Sequence, residues 1–140
     1  MVNILSYIKG KLAELGIPYE YGEWTAPVTY PYFVGNFEET DHRFEDNCTT
    51  GVFTLDGWQR GQKHELLLLT DRVKRAFEDL AEYVKDDWEW DPFDFRYGMI
   101  DDDGRTFFIR YGGSGLVPSG EAGLSHVTIT LYTYEWRGED

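Results

Sequence analysis

The sequence predicts an α+β fold: a mostly antiparallel sheet with two helices packed on it, in the order α-β-β-α-β-β-β. Two observations carry this expectation. Between Glu65 and about Lys85 the residues Leu66, Leu69, Val73, Phe77, Leu80 and Val84 step by three and four, which is the spacing of one helical face. On either side of that stretch, short runs rich in Val, Ile, Thr, Tyr and Phe alternate with a period of two and end in Gly, Pro, Asn or Asp.

The first helix is expected from Asn3, as a cap, with Leu5, Ile8, Leu12 and Leu15 as its apolar stripe, and Gly16 and Pro18 close it. A strand follows over Val28 to Phe37. Val28, Tyr30, Tyr32 and Val34 share one face and Phe33, Gly35 and Phe37 the other, so both faces should be covered. Pro31 cannot donate to a ladder and places this strand at an edge or puts the proline at its beginning. The chain then doubles back as a long hairpin through the charged stretch Glu38–Asn47. In the returning strand Phe53 and Leu55 point one way, and Val52, Thr54, Asp56 and Trp58 the other.

The second helix carries Arg72, Lys74, Arg75, Glu78 and Glu82 opposite its apolar stripe, with Arg75 and Glu78 spaced to pair across one turn. Beyond it, Asp86 to Asp94 mixes acids with Trp88, Trp90 and Phe93. A third hairpin arm is expected over Phe95–Ile100, a turn at Asp101–Gly104, and a strand over Thr106–Tyr111. Gly112-Gly113-Ser114-Gly115 and Pro118-Ser119-Gly120 read as a flexible loop. The last strand, His126 to Trp136, sets Val127, Ile129 and Leu131 against Tyr132, Tyr134 and Trp136 on its two sides. There is no repeat and no composition break, so residues 1–140 are expected to form one domain.

With 41% apolar and 17% aromatic residues the chain has enough to build a core, and its polar character comes from charge. Thirteen basic residues against 26 acidic ones leave −13, a field that opposes phosphate backbones and also serves solubility. Cys48 is the single cysteine, so no internal disulfide or CxxC metal site can form, and a reducing compartment fits. The N-terminus lacks a basic region followed by an apolar run, and no window approaches a membrane span, so the expectation is a soluble chain without an export signal.

Asp101-Asp102-Asp103-Gly104 begins like a calcium loop, but Thr106-Phe107-Phe108-Ile109 continues as a strand where later ligands and a bidentate Glu would be required. An Asp-Gly hairpin turn is the reading. The acids beside Trp88 and Trp90 could supply a glycosidase pair only if two carboxyls faced one cleft; a loop wedging its aromatics under the sheet is expected. His42, His64 and His126 stand in no metal-ligand spacing, and Cys48, at a strand start, reads as a buried or half-buried thiol. Gly112–Gly115 lacks the lysine and the helix of a phosphate loop. No catalytic residue, metal or cofactor is expected. Contact with a protein partner is the remaining chemistry: Arg43 and Phe44 sit between acids on the hairpin tip, and Trp58 and Arg60 end the returning strand.

Taken together, the first helix ending in Leu15-Gly16-Ile17-Pro18, the strand Tyr30-Pro31-Tyr32-Phe33-Val34, the polar hairpin leading to Phe53-Thr54-Leu55-Asp56-Gly57-Trp58, and the helix Leu66–Val84 resemble the tail-terminator and tail-completion proteins of long-tailed bacteriophages. The resemblance covers roughly residues 3 to 85 together with a β-rich C-terminal region. It implies a non-enzymatic virion assembly protein whose copies form a ring, commonly a hexamer, that caps the tail tube and joins it to the head connector. The implied partners are further copies of the chain, the tail tube protein and the connector, with no sequence-specific nucleic acid and no membrane. The implied location is the virion tail or neck, with assembly in the host cytoplasm. Six copies carry six times −13, so the ring contacts are expected to set Arg43, Arg60, Arg72, Lys74 or Arg75 against neighbouring acids. The alternatives are a head-tail adaptor or neck protein and, from another class, an acidic interaction module that mimics the charge of DNA.

Overall fold

The computed structural model describes residues 2–43, 48–85, 100–102 and 105–137. In chain order these form α1 (Val2–Glu14), β1 (Tyr19–Tyr21), β2 (Tyr32–Arg43), β3 (Cys48–Arg60), α2 (His64–Lys85), β4 (Ile100–Asp102), β5 (Arg105–Val117) and β6 (Leu124–Arg137). The α+β class and the order of the main elements agree with the sequence pattern. One sheet of six strands runs β1-β2-β3-β6-β5-β4, antiparallel at every pairing except the parallel one between β1 and β2.

The centre of the sheet is the pairing of β3 with β6, in register from Cys48 opposite Trp136 to Arg60 opposite Leu124. Alternation then sorts the side chains. Phe33, Phe53, Leu55, Phe107, Ile109, Val127, Ile129 and Leu131 lie on one face and are buried beneath Ile4, Ile8 and Leu12 of α1 and Leu66, Leu69, Val73 and Phe77 of α2. The opposite face carries Tyr32, Asp56, Trp58, His126, Thr128 and Thr130 in half-buried positions. Glycines permit the aromatic packing on the helix side. A Cβ on Gly35 would stand 2.5 Å from Phe53 Cζ and 2.7 Å from Tyr19 Cε2, so the bare backbone there is what lets both rings pack close against the strand.

Both helices end on defined partners. Gly16, at φ 73°, closes α1: its N–H donates to the Ala13 carbonyl and the Ile17 N–H reaches back to Leu12, with Ile17 and Leu12 both buried. The Leu15 carbonyl accepts a further bond, at 2.9 Å, from Arg72 of α2, which places a cation at the negative end of the α1 dipole. At the start of α2 the Leu66 N–H donates to the Gln59 side-chain oxygen at 2.7 Å, which satisfies an amide the helix cannot.

Several expectations are corrected. α1 begins at Val2, so Asn3 lies inside its first turn and is not its cap. β2 starts at Tyr32, after a cis Tyr30–Pro31 bond, and runs on to Arg43 through residues read as hairpin turn. The hydroxyls of Thr40 and Thr50 bond across this extension, and the register shifts between Glu39 and Arg43. The glycine-rich stretch after Tyr111 is strand, with a bulge at Tyr111–Gly113, because β6 supplies a continuous ladder that overrides the low strand preference of glycine. Asp101 and Asp102 belong to β4, opposite Thr106 and Arg105. Residues 86–99, which contain the acidic Trp88–Trp90 stretch and most of the expected arm Phe95–Ile100, lie outside the described residues, as do Asp103 and Gly104.

Candidate interaction surfaces

Register carries Tyr32 of β2 opposite Trp58 of β3, Trp58 opposite His126 of β6, and His126 opposite Val117 of β5. The four side chains therefore form one row across the helix-free face. Trp58 stacks on His126 with centroids 4.7 Å apart and planes 11° apart, and on Tyr32 at 5.3 Å and 25°. Trp24 and Tyr30 extend the row, at 5.1 and 5.6 Å from the Tyr32 ring. Rings stacked on one another hide their faces and turn their edges outward, so the row is a brace across the sheet and not a platform for a sugar or a base.

Beside it, at the next same-face pair of β3 and β6, lies a polar cluster. His126 Nε2 is 2.8 Å from Asp56 Oδ1, and the Thr128 hydroxyl donates to the same oxygen. A carboxylate can only accept, so Nε2 carries the proton. Here the acid bridges histidine and hydroxyl, whereas nucleophile activation needs the histidine between acid and hydroxyl. The cluster orients side chains and puts no histidine base on Thr128. On the neighbouring part of the face, a Cβ on Gly113 or Gly115 would meet nothing within 4 Å, so the β5 backbone is open there.

Large apolar side chains gather at one end of the molecule. β2 begins, β3 and β5 end, and β6 and α2 begin there; Tyr30, Leu67, Leu68, Leu116 and Val117 are exposed around that end, with Val117 on the helix-free face and Leu116 on the helix side. Arg60 belongs to the same end. It pairs with Glu121 at 3.0 Å and lies 5.7 Å over the Tyr30 ring.

The sequence-derived interface candidates are thus divided. Trp58 and Arg60 lie near each other, linked through Tyr30 and Tyr32, although Trp58 is largely engaged within the row. Arg72 is a helix-capping group within the chain, and Arg75 pairs with Asp71 at 2.9 Å in place of the expected Glu78. Arg43 ends β2, with its side chain outside what is described, and Phe44 lies outside the described residues. Among the described residues no group of three or more His, Cys, Asp or Glu is placed to hold a metal ion, and no helix is long and apolar enough to cross a membrane. Leu67, Leu68, Leu116 and Val117 were not singled out by sequence reasoning. Leu67 and Leu68 break the three-and-four step of α2, which is the signal that could have found them.

A second surface lies at the β1 edge. Leu5, Ser6 and Lys9 of α1 face Tyr19, Glu20, Tyr21, Glu23 and Thr25 across a groove of about 600 Å³. One wall is fixed by Glu20, whose carboxylate accepts from the Thr25 N–H at 2.9 Å, the Thr25 hydroxyl at 2.5 Å and the Ala26 N–H at 3.3 Å. The Thr25 bonds hold its pKa below the ordinary glutamate value. Burial pushes Tyr19 up to about 12, with the neighbouring Tyr21 adding to the shift. No protein-family model matches the chain, and no curated protein matches it.

Proposed function

We propose that the chain is a non-enzymatic assembly subunit of a long-tailed bacteriophage virion, a tail terminator whose copies form a ring that caps the tail tube and meets the head connector. The observation that carries this reading is the exposure of Tyr30, Leu67, Leu68, Leu116 and Val117 around the end of the sheet where β3 and β5 end and α2 begins. Exposed large apolar side chains mark a docking region, and a subunit that stacks on the end of a tube needs one at one end of its body. The resemblance over residues 3 to 85 supports the same role. A net charge of −13 per copy suits a channel through which DNA passes without being gripped.

Light scattering of the purified protein at about 50 and about 500 mM salt tests the ring, because the higher salt cuts the Debye length to roughly 4 Å and screens repulsion between copies. A mass of about six chains at either salt supports it. A monomer at both salts that also fails to bind isolated tail tubes overturns it. A monomer that binds a basic protein with steep salt dependence identifies the charge-mimicking module instead.

A further inference from the structure

The backbone of β1 is half used. Pro18 accepts from the Phe33 N–H at 2.8 Å and Gly22 donates to the Gly35 carbonyl at 2.8 Å, so residues 18 and 22 face β2. In a parallel ladder the residue between them, Glu20, faces β2 as well, and the groups of Tyr19 and Tyr21 point away from the sheet. The Tyr21 carbonyl is taken by the Glu23 N–H at 3.0 Å. Tyr19 N–H, Tyr19 C=O and Tyr21 N–H remain, on the open edge of β1, where Tyr19 and Tyr21 also line the groove whose far wall is Leu5, Ser6 and Lys9 of α1. Among the described residues no strand lies on that side.

We propose that this groove is a strand-acceptor site, which takes an extended segment of a partner protein with alternating apolar and basic side chains. The free backbone groups call for an extended chain, since a strand added to a sheet edge is the ligand that matches their spacing. Leu5 and the exposed ring of Tyr21 offer apolar contact to every second residue. The charges choose the partner. Glu20 and Glu23 stand against Lys9 alone, in a molecule of net charge −13, so a second copy of this chain is repelled where a basic segment is attracted. The site is complete within one copy and does not depend on ring formation.

The test is binding of a fluorescein-labelled short peptide of alternating valine and lysine, followed by anisotropy and by amide chemical shifts. Saturable binding is expected, with the largest shifts at the Tyr19 and Tyr21 amides. Tyr21→Pro removes an outward N–H and no bond of the β2 ladder, so it should keep the wild-type melting temperature and weaken binding about tenfold or more. Ser6→Trp fills the groove from an exposed helix position and should weaken binding in the same way if the proline variant does not fold. Binding untouched by both variants, or equal binding of a valine–glutamate peptide, overturns the proposal. Self-association that Tyr21→Pro abolishes also overturns it, because the occupant is then a second copy.

Discussion

His126 Nε2 sits 2.8 Å from Asp56 Oδ1 across the seam where β3 and β6 join, and the ring it belongs to is the last in a stack that begins at Trp24. One carboxylate therefore fixes the histidine against which Trp58 packs. Asp56→Ala removes the acceptor from both His126 and Thr128 and should cost about 1–3 kcal/mol in urea denaturation, with Asp56→Asn recovering part of it. A loss under about 0.5 kcal/mol would show that water replaces the carboxylate at no cost.

Gly57 lies opposite Phe33, and a Cβ there would run into the Phe33 ring, which is fully buried in the core. Neither the ring nor the strand can yield without moving the helices above. Gly57→Ala should destabilise by about 1–3 kcal/mol, the usual penalty for overpacking. Gly115→Ala, on the open face where nothing is within 4 Å, should leave the melting temperature nearly unchanged and serves as the control.

Arg72 and Arg75 are separated by less than one helical turn and do different work. Arg72→Ala deprives the Leu15 carbonyl of its donor at the end of α1 and should cost about 1 kcal/mol. Arg75→Ala breaks only an exposed pair with Asp71 and should cost about 0.5 kcal/mol or less, a difference thermal melts can resolve. Charge reversal of Arg72 would therefore report on folding before it reported on assembly.

Tyr19 has a predictable alkaline signature. Its pKa is raised from 10.0 to about 12 by burial, so the folded state keeps the neutral phenol where the unfolded chain ionises. The stability this group contributes is complete below pH 10 and is lost as pH climbs from 10 toward about 12. An ultraviolet titration should show a late phenolate step near pH 12 that Tyr19→Phe abolishes. Its persistence in that variant would assign the step to another ring.

What could be read from the residues divides along physical lines. α2, β3 and β6 were legible because each buries one face, so their alternation or three-and-four spacing is strict from Leu66 to Phe77, Gly51 to Gly57 and Val127 to Leu131. β1 was not, since three residues hold no pattern and owe their strand state to pairing with β2. Local preference makes Gly112–Gly115 look like loop, and a ladder of Gly113–Gly115 with residues 128–130 outweighs that preference. Trp58 stood out in the sequence, yet its stacking partner His126 is brought to it only by the β3–β6 register.

That register also orders events during synthesis. Arg60 pairs with Leu124 and Cys48 with Trp136, so the whole inner side of β3 waits for β6 to be made. At about 5–20 residues per second the nascent chain spends several seconds with α1, β2, β3 and α2 complete and a 13-residue strand edge unpaired. Such contacts between distant parts of a chain slow folding, and an edge of that length is a template for pairing with the wrong chain. On a polysome, where sibling chains emerge side by side, that open edge is exposed to neighbours until β6 emerges to cover it.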